Sequence, residues 1–233
     1  EGRPVHIITC SSDPHSLDAV ILPDLGVCIV DGTAPHVLEP EYPGIHQSII
    51  NFGAFLQEEQ LSKQKDAILK INRDLKECYA RSYHNLKLCA VLKQGNDSLV
   101  LPSLQTKRLE GLAQRIIKQE LPPKYTKGQS IPRYLTAIGP EGVVTHTRWL
   151  EQQGYQVYLL ADHYGIATHL LEPLAQAAVE RGYVVHPCAD PFCPGGKLLQ
   201  VVIPELKLAF VSVEEKSDYT GPTKRTINLD RYL

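Results

Sequence analysis

Apolar residues fall into two strand-like blocks at the ends of the chain and a long helix-like block between them. Near the front, VHIITCSSDPHSLDAVILPDLGVCIVDGT reads as strand, polar loop, turn and strand. Near the back, YVVHPCADPFCPGGKLLQVVIPELKLAFVSVEE runs through the same order. Cys10 answers Cys188, Asp13-Pro14 answers Asp190-Pro191, and the run from Ile21 to Leu25 answers Val202 to Leu206. The repetition predicts one module used twice.

The back copy carries an extra piece ahead of its Cys188 strand. YQVYLLA predicts a strand, DHYGIAT a turn, and HLLEPLAQAAVERG a helix ending at Gly182 as a helix cap would. The front copy begins at EGRPV, which corresponds to the tail of that helix. The front strand, turn and helix are therefore expected to lie before Glu1 in a parent protein. From Gln57 to Gln94, Leu61, Ile68, Ile71, Leu75, Cys78, Ser82, Leu86, Cys89 and Leu92 follow helical spacing. QGNDS predicts a turn, and a second helix over 104–120 is expected to fold back on the first before Leu121-Pro122-Pro123 stops it. KYTKGQSIPR reads as a linker, and IPRYLTAIGPEGVVTH opens the second module.

Composition narrows the class. The chain has 233 residues, a formal net charge of −2 and 43% hydrophobic residues, enough for one large or two small globular domains. No stretch is apolar and long enough to span a membrane, and the start lacks the pattern of a signal peptide, so a cytoplasmic location is expected. Near-neutral charge shows no basic footprint for nucleic acid. The lack of methionine is read as processing or a missing front end. Six cysteines without regular close spacing predict reduced, mostly buried thiols. Cys188 and Cys193 lack a second matching pair for a zinc site.

The segment from Ala161 to Thr168 has the outline of a phosphate-binding P-loop: a strand, a turn with Gly165, then a helix. Such a loop needs glycines so that backbone N–H groups can curl round phosphates, a Lys to neutralise oxygens, and a Ser or Thr for Mg²⁺. Here Ala161 and Ile166 replace the glycines, Ala167 replaces the lysine, and Thr168 alone keeps its type. Asp162 adds negative charge where phosphate would sit, and Pro173 is compatible only with a helix that starts late. A retained structural turn is the expectation. In the front copy, Val27 to Val30 end in Asp31, the shape of a Walker B strand whose acid holds the Mg²⁺ shell. The back copy has Ser212 there, which supplies no fixed charge. Ser11, Ser12, Asp13 and Asp18 follow a strand end, where ligands meet open α/β sheets; they read equally as turn formers. Thr33 and His36 lie in a Gly- and Pro-rich loop after Asp31, and His36 reads either as a phosphate or partner contact or as an ordinary loop histidine.

TCSSDPHSLDAVILPDLGVCIVDGTAPHVLEPEYPG closely resembles the first-half signature of a bacterial family of tandem P-loop ATPases, sometimes described as nucleotide kinase-like. RYLTAIGPEGV, from Arg133 to Val143, resembles the start of that family's second half. The resemblance implies two P-loop NTPase modules, each followed by a helical segment; with the helical spacing between them, the expectation is an α/β chain of two P-loop NTPase-like modules with mainly parallel sheets joined by a helical hairpin. Its expected parts are 1–55, a hairpin at 56–122, a linker at 123–132 and a degenerate module at 133–233. It implies ATP and Mg²⁺ as ligands of the parent, with Asp31 as the metal-side acid. Ser11, Ser12, Asp13, Thr33 and His36 carry over as front-site loops, and Gly165 and Thr168 remain from the back loop. Ala167 stands where the family has Lys, so a second active site is not expected. The rival reading is a non-catalytic scaffold whose helical hairpin docks a protein partner.

Overall fold

A tight proline turn decides the form of the front sheet. β1 (His6–Thr9), β2 (Leu17–Leu22) and β3 (Val27–Val30) pair in that order, both neighbours antiparallel. Pro23 opens a 3₁₀ turn, Pro23–Leu25, and Gly26 reverses the chain at a φ of 61°. The mainly parallel sheet expected for this module is not what forms. Residues 10–16 and 23–26 are the whole of the two connections, and a parallel pairing needs a crossover of about a dozen residues or more. The computed structural model describes residues 2–10, 13, 15–34, 36–140, 142–193, 196–215 and 218–233. It divides into two units, Glu1–Tyr83 and His84–Leu233.

In the first unit, Ala19 is the sole buried residue among those described, and Ile29 on β3 is 58% exposed. After the sheet come α1 (Glu58–Lys63) and the 36-residue α2 (Lys65–Val100), inside which the division between units falls. The predicted stripe is helical, yet Ile71 and Leu75 are exposed. The turn expected at QGNDS is also helical. A glycine inside a helix costs only about 1 kcal/mol, whereas Pro102 disfavours helical geometry in the residue before it and ends α2.

In the second unit α3 (Thr106–Glu120) buries Leu109, Leu112, Ala113, Ile116 and Ile117. It packs against a later helix and belongs to the core of this unit, which corrects its assignment to a separate hairpin. Then follow β4 (Gln129–Ser130), β5 (Thr136–Gly139), β6 (Gly142–Thr145), α4 (Arg148–Gln152) and β7 (Gln156–Ala161). After them come α5 (Thr168–Glu180), β8 (Val184–Ala189), β9 (Leu198–Ile203), β10 (Leu208–Val213) and β11 (Thr223–Asn228). β5 and β6 make a separate hairpin, and the main sheet has the order β11-β7-β10-β9-β8-β4. β7 pairs parallel with β10 and β11, and β4 pairs parallel with β8; β9 is antiparallel to β8 and β10. The expected linker at 123–132 therefore contributes an edge strand.

Strand alternation sorts the core onto two faces. Tyr158, Leu160 and Phe210 point to the side covered by α3 and α5, where Leu170, Leu171 and Leu174 are fully buried. Val157, Leu159, Ala209 and Val211 meet Leu135, Leu150, Tyr155 and Tyr219 on the other. Gly182 ends α5 as its sequence suggests, with a φ of 91° and its N–H donating to the Val179 carbonyl. An added Cβ there would lie 2.5 Å from the Thr126 carbonyl oxygen. Gly182→Ala is expected to lower stability by about 2 kcal/mol, read from a urea transition of the whole chain. A change below about 0.5 kcal/mol would show that the loop at Thr126 yields freely.

Candidate functional site

The pairing registers of the two units coincide. In the first, His6 faces Ile21 and Val30 faces Ala19; in the second, His186 faces Val202 and Val211 faces Gln200. Both β1–β2 and β8–β9 shift register just before their connecting loop, and each third strand follows a 3₁₀ turn closed by a left-handed residue, Gly26 or Lys207. These registers make Ser212 the counterpart of Asp31. They also move the pairing of the loops by two residues: Cys10, whose N–H donates to Ser16, matches Asp190, whose N–H donates to Lys197, and not Cys188.

Because β1 and β3 both run antiparallel to β2, their C-terminal ends share one edge of the front sheet. That edge gathers the loop of Asp13 with Asp31, Thr33 and His36. Asp31 is exposed, and its Oδ1 accepts the Thr33 N–H at 2.8 Å. That hydrogen bond, with His36 nearby, holds the carboxyl below the usual carboxylate range, so it is ionised at neutral pH. His36 donates its backbone N–H to the Thr33 carbonyl. Asp13 accepts the His15 N–H at 3.1 Å and, through its carbonyl, the Ser16 hydroxyl at 3.0 Å, the pattern of a turn former. Ser11 and Ser12 lie outside the described residues.

At the corresponding edge of the second unit, β7 leads through residues 162–167 into α5. Asp162 is 4% exposed, and its two oxygens accept the Ile166 N–H at 2.9 Å and the Ala167 N–H at 2.7 Å. The Ser212 hydroxyl approaches the same carboxylate at 3.5 Å. The amides that would face a phosphate therefore hold the turn's own acid. Thr168 is buried too: its hydroxyl accepts the Leu198 N–H and donates to Glu172, so it belongs to packing and not to an open metal position. Gly165 has a φ of 70°, and its carbonyl accepts from Lys197 Nζ at 3.0 Å. The cavity beside the turn, lined by Asp97, Tyr164, Gly165, Thr168, His169 and Lys197, holds about 160 Å³. Small-molecule sites usually start at about 300 Å³.

α5 begins at Thr168 and carries Pro173 inside it, which overturns the need for a late start. The carbonyl that loses its helical donor belongs to His169, an exposed residue that water can serve. The thiols also depart from expectation. All six are free, but Cys28, Cys78 and Cys89 are exposed because the apolar runs around them are exposed, and Cys188 alone is buried. Burial pushes the Cys188 thiol up to about 12.

The polar contacts that pin the turn region were not legible in the sequence. Lys93 pairs with the buried Asp190 at 2.6 Å, Lys197 pairs with Asp97, and His163 pairs with Asp230 at 2.7 Å. Each joins residues far apart in the chain, and no spacing rule brings them together. Among the described residues no group of three or more His, Cys, Asp or Glu is arranged to hold a metal, and no helix is long and apolar enough to cross a membrane. A single exposed carboxylate such as Asp31 suits Mg²⁺, which keeps several waters and takes one or two carboxylates beside substrate phosphates. The filled turn of the second unit does not suit it. Comparisons with protein families, with characterised proteins and with solved structures returned no match.

Proposed function

We propose that the chain belongs to an ATP-binding P-loop NTPase-like protein of the cytoplasm whose first module handles ATP and Mg²⁺ while the second is a structural pseudo-site. The observation that carries this is the register equivalence of Asp31 and Ser212. In the second unit β10 lies beside β7, and Ser212 touches the acid of the strand-to-helix turn. A residue at this position thus looks onto the place where a working loop would hold phosphate. The first unit has a carboxylate there, ionised and exposed, on a strand whose outer edge is unpaired among the described residues and suits a parallel partner.

In this reading Mg²⁺, when bound, neutralises charge on phosphate oxygens. Asp31 would hold the metal side of the site, Thr33 holds the Asp31 carboxylate through its N–H, and Asp13 and His36 belong to the loops at the same edge, with Ser11 and Ser12 proposed from the sequence alone. Residues 1–233 contain no GxxxxGK[ST] sequence, so this chain alone should bind ATP weakly or not at all. In a form of the protein with an intact loop beside β3, Asp31→Ala is expected to lower ATP turnover about 10–100-fold with the circular dichroism spectrum unchanged. Unchanged turnover refutes the role of Asp31.

A second reading is favoured by the exposed apolar residues of α2, including Ile71, Leu75 and Leu92, which suit a protein partner. A non-catalytic scaffold predicts a decayed phosphate loop in the parent, like residues 161–168. Sequencing the parent separates the two.

A further inference from the structure

The three parallel strands β10, β7 and β11 end together at the edge where open α/β sheets take ligands. His163 lies across that edge. Its Nδ1 is 2.7 Å from Asp230 Oδ2 and its backbone N–H donates to Asp230 Oδ1 at 3.3 Å, so one carboxylate holds both ring and main chain. Its Nε2 is 3.6 Å from Glu215 Oε1. Asp230 sits in the 3₁₀ turn Leu229–Tyr232 after β11, where Asn228 accepts its N–H, and Glu215 follows β10. One imidazole thus ties three strand ends together. We propose that His163 is the bolt of a pH-sensitive latch that fastens the β7–α5 turn to the ends of β10 and β11.

Both ring nitrogens face carboxylates, an arrangement complete only when both carry protons. From the turn after β11 the facing group is Asp230, and from the end of β10 it is Glu215. On its own turn Asp162 is directed inward to the Ile166 and Ala167 amides, and Asp218 accepts the Glu215 N–H. Among the described residues neither Asp230 nor Glu215 pairs with Lys or Arg. The hydrogen bond to Asp230, opposed by partial desolvation and aided by the charges of Asp230 and Glu215, raises the imidazole above its ordinary value. A raised value in the folded state means that the latch contributes fully below about pH 6.5 and fades as pH rises through the folded value. This inference does not depend on nucleotide binding.

The test follows the imidazole and the turn separately in the whole chain. By NMR, His163 is expected to titrate above about 6.5, and Asp230→Asn to bring it down. Hydrogen exchange at the Ile166 and Ala167 amides, corrected for intrinsic rates, should lose protection about two- to fivefold between about pH 6 and about pH 8.5. That loss should be absent in His163→Gln and reduced in Glu215→Gln. A His163 titration at or below the ordinary value overturns the latch. So does an exchange profile that is the same in His163→Gln.

Discussion

Replacing Phe210 with Ala is expected to destabilise the His84–Leu233 unit by about 3–5 kcal/mol. The same truncation at Ile29 is expected to cost under about 1 kcal/mol. The two residues occupy like positions, since Ile29 faces Val20 in the first unit as Phe210 faces Val201 in the second. Their surroundings differ. Phe210 is 0% exposed, lies on a strand paired at both edges and packs at a tilt against Tyr158 with ring centroids 5.1 Å apart. Deleting its ring removes transfer energy and leaves a cavity that α3 and α5 cannot fill without losing their own contacts. Ile29 already meets water, so its truncation opens no hole. Urea transitions followed by the single tryptophan, Trp149, which packs on Tyr155, read the second unit directly. Circular dichroism reads the first. Similar losses at both positions would mean that the first unit has a core in solution.

Asp162→Ala is the other large loss, about 2–4 kcal/mol, because it strands two amide N–H groups at the buried start of α5. The side chain does for Ile166 and Ala167 what a phosphate does in a working P-loop. Asp162→Asn is expected to fall between wild type and Ala, since one amide oxygen accepts a single bond while the NH₂ opposes the other donor. Inorganic phosphate offers a check on the same geometry. If it restored part of the lost stability of Asp162→Ala, the turn would be shown to have an anion-holding shape without a lysine at Ala167. A loss below about 0.5 kcal/mol in Asp162→Ala would show that water serves these amides and that the carboxylate is not their essential partner.

Several features were legible because they are local. Pro23 and Pro204 each open a 3₁₀ turn between two apolar strands, and Gly182 marks the end of α5. The strand, turn and helix around Asp162 follow from an apolar run, a glycine at positive φ and helical spacing. The helices of the middle segment were legible as helices, and the stop at Leu121-Pro122-Pro123 was legible too, but not the continuation of α2 through Gln94 to Val100 or the helices' partners. Gly95 resembles a turn in the sequence and is helical, because the penalty of one glycine is small beside the hydrogen bonds of a long helix. The edge strand β4 escaped notice because two residues carry no periodicity, and only pairing with Val184 and Val185 defines them. At the candidate site, the acid at Asp31 and the alanine at Ala167, where a phosphate-binding loop would need lysine, were visible, whereas the partners of Asp162 and His163 were not.

By itself the sequence determined the three-strand run with its proline turn in each unit, the strand, turn and helix around Asp162, and that Asp31 in one unit matches Ser212 in the other. Periodicity and turn chemistry act over a few residues, and both are written in adjacent positions. Tertiary structure alone decided that the apolar strands of the second unit are buried while those of the first stay exposed. It also decided that Asp162 fills the turn and that His163 bridges to Asp230 and Glu215. Burial and ion pairing depend on which distant elements arrive beside a residue, and no local pattern encodes that arrival.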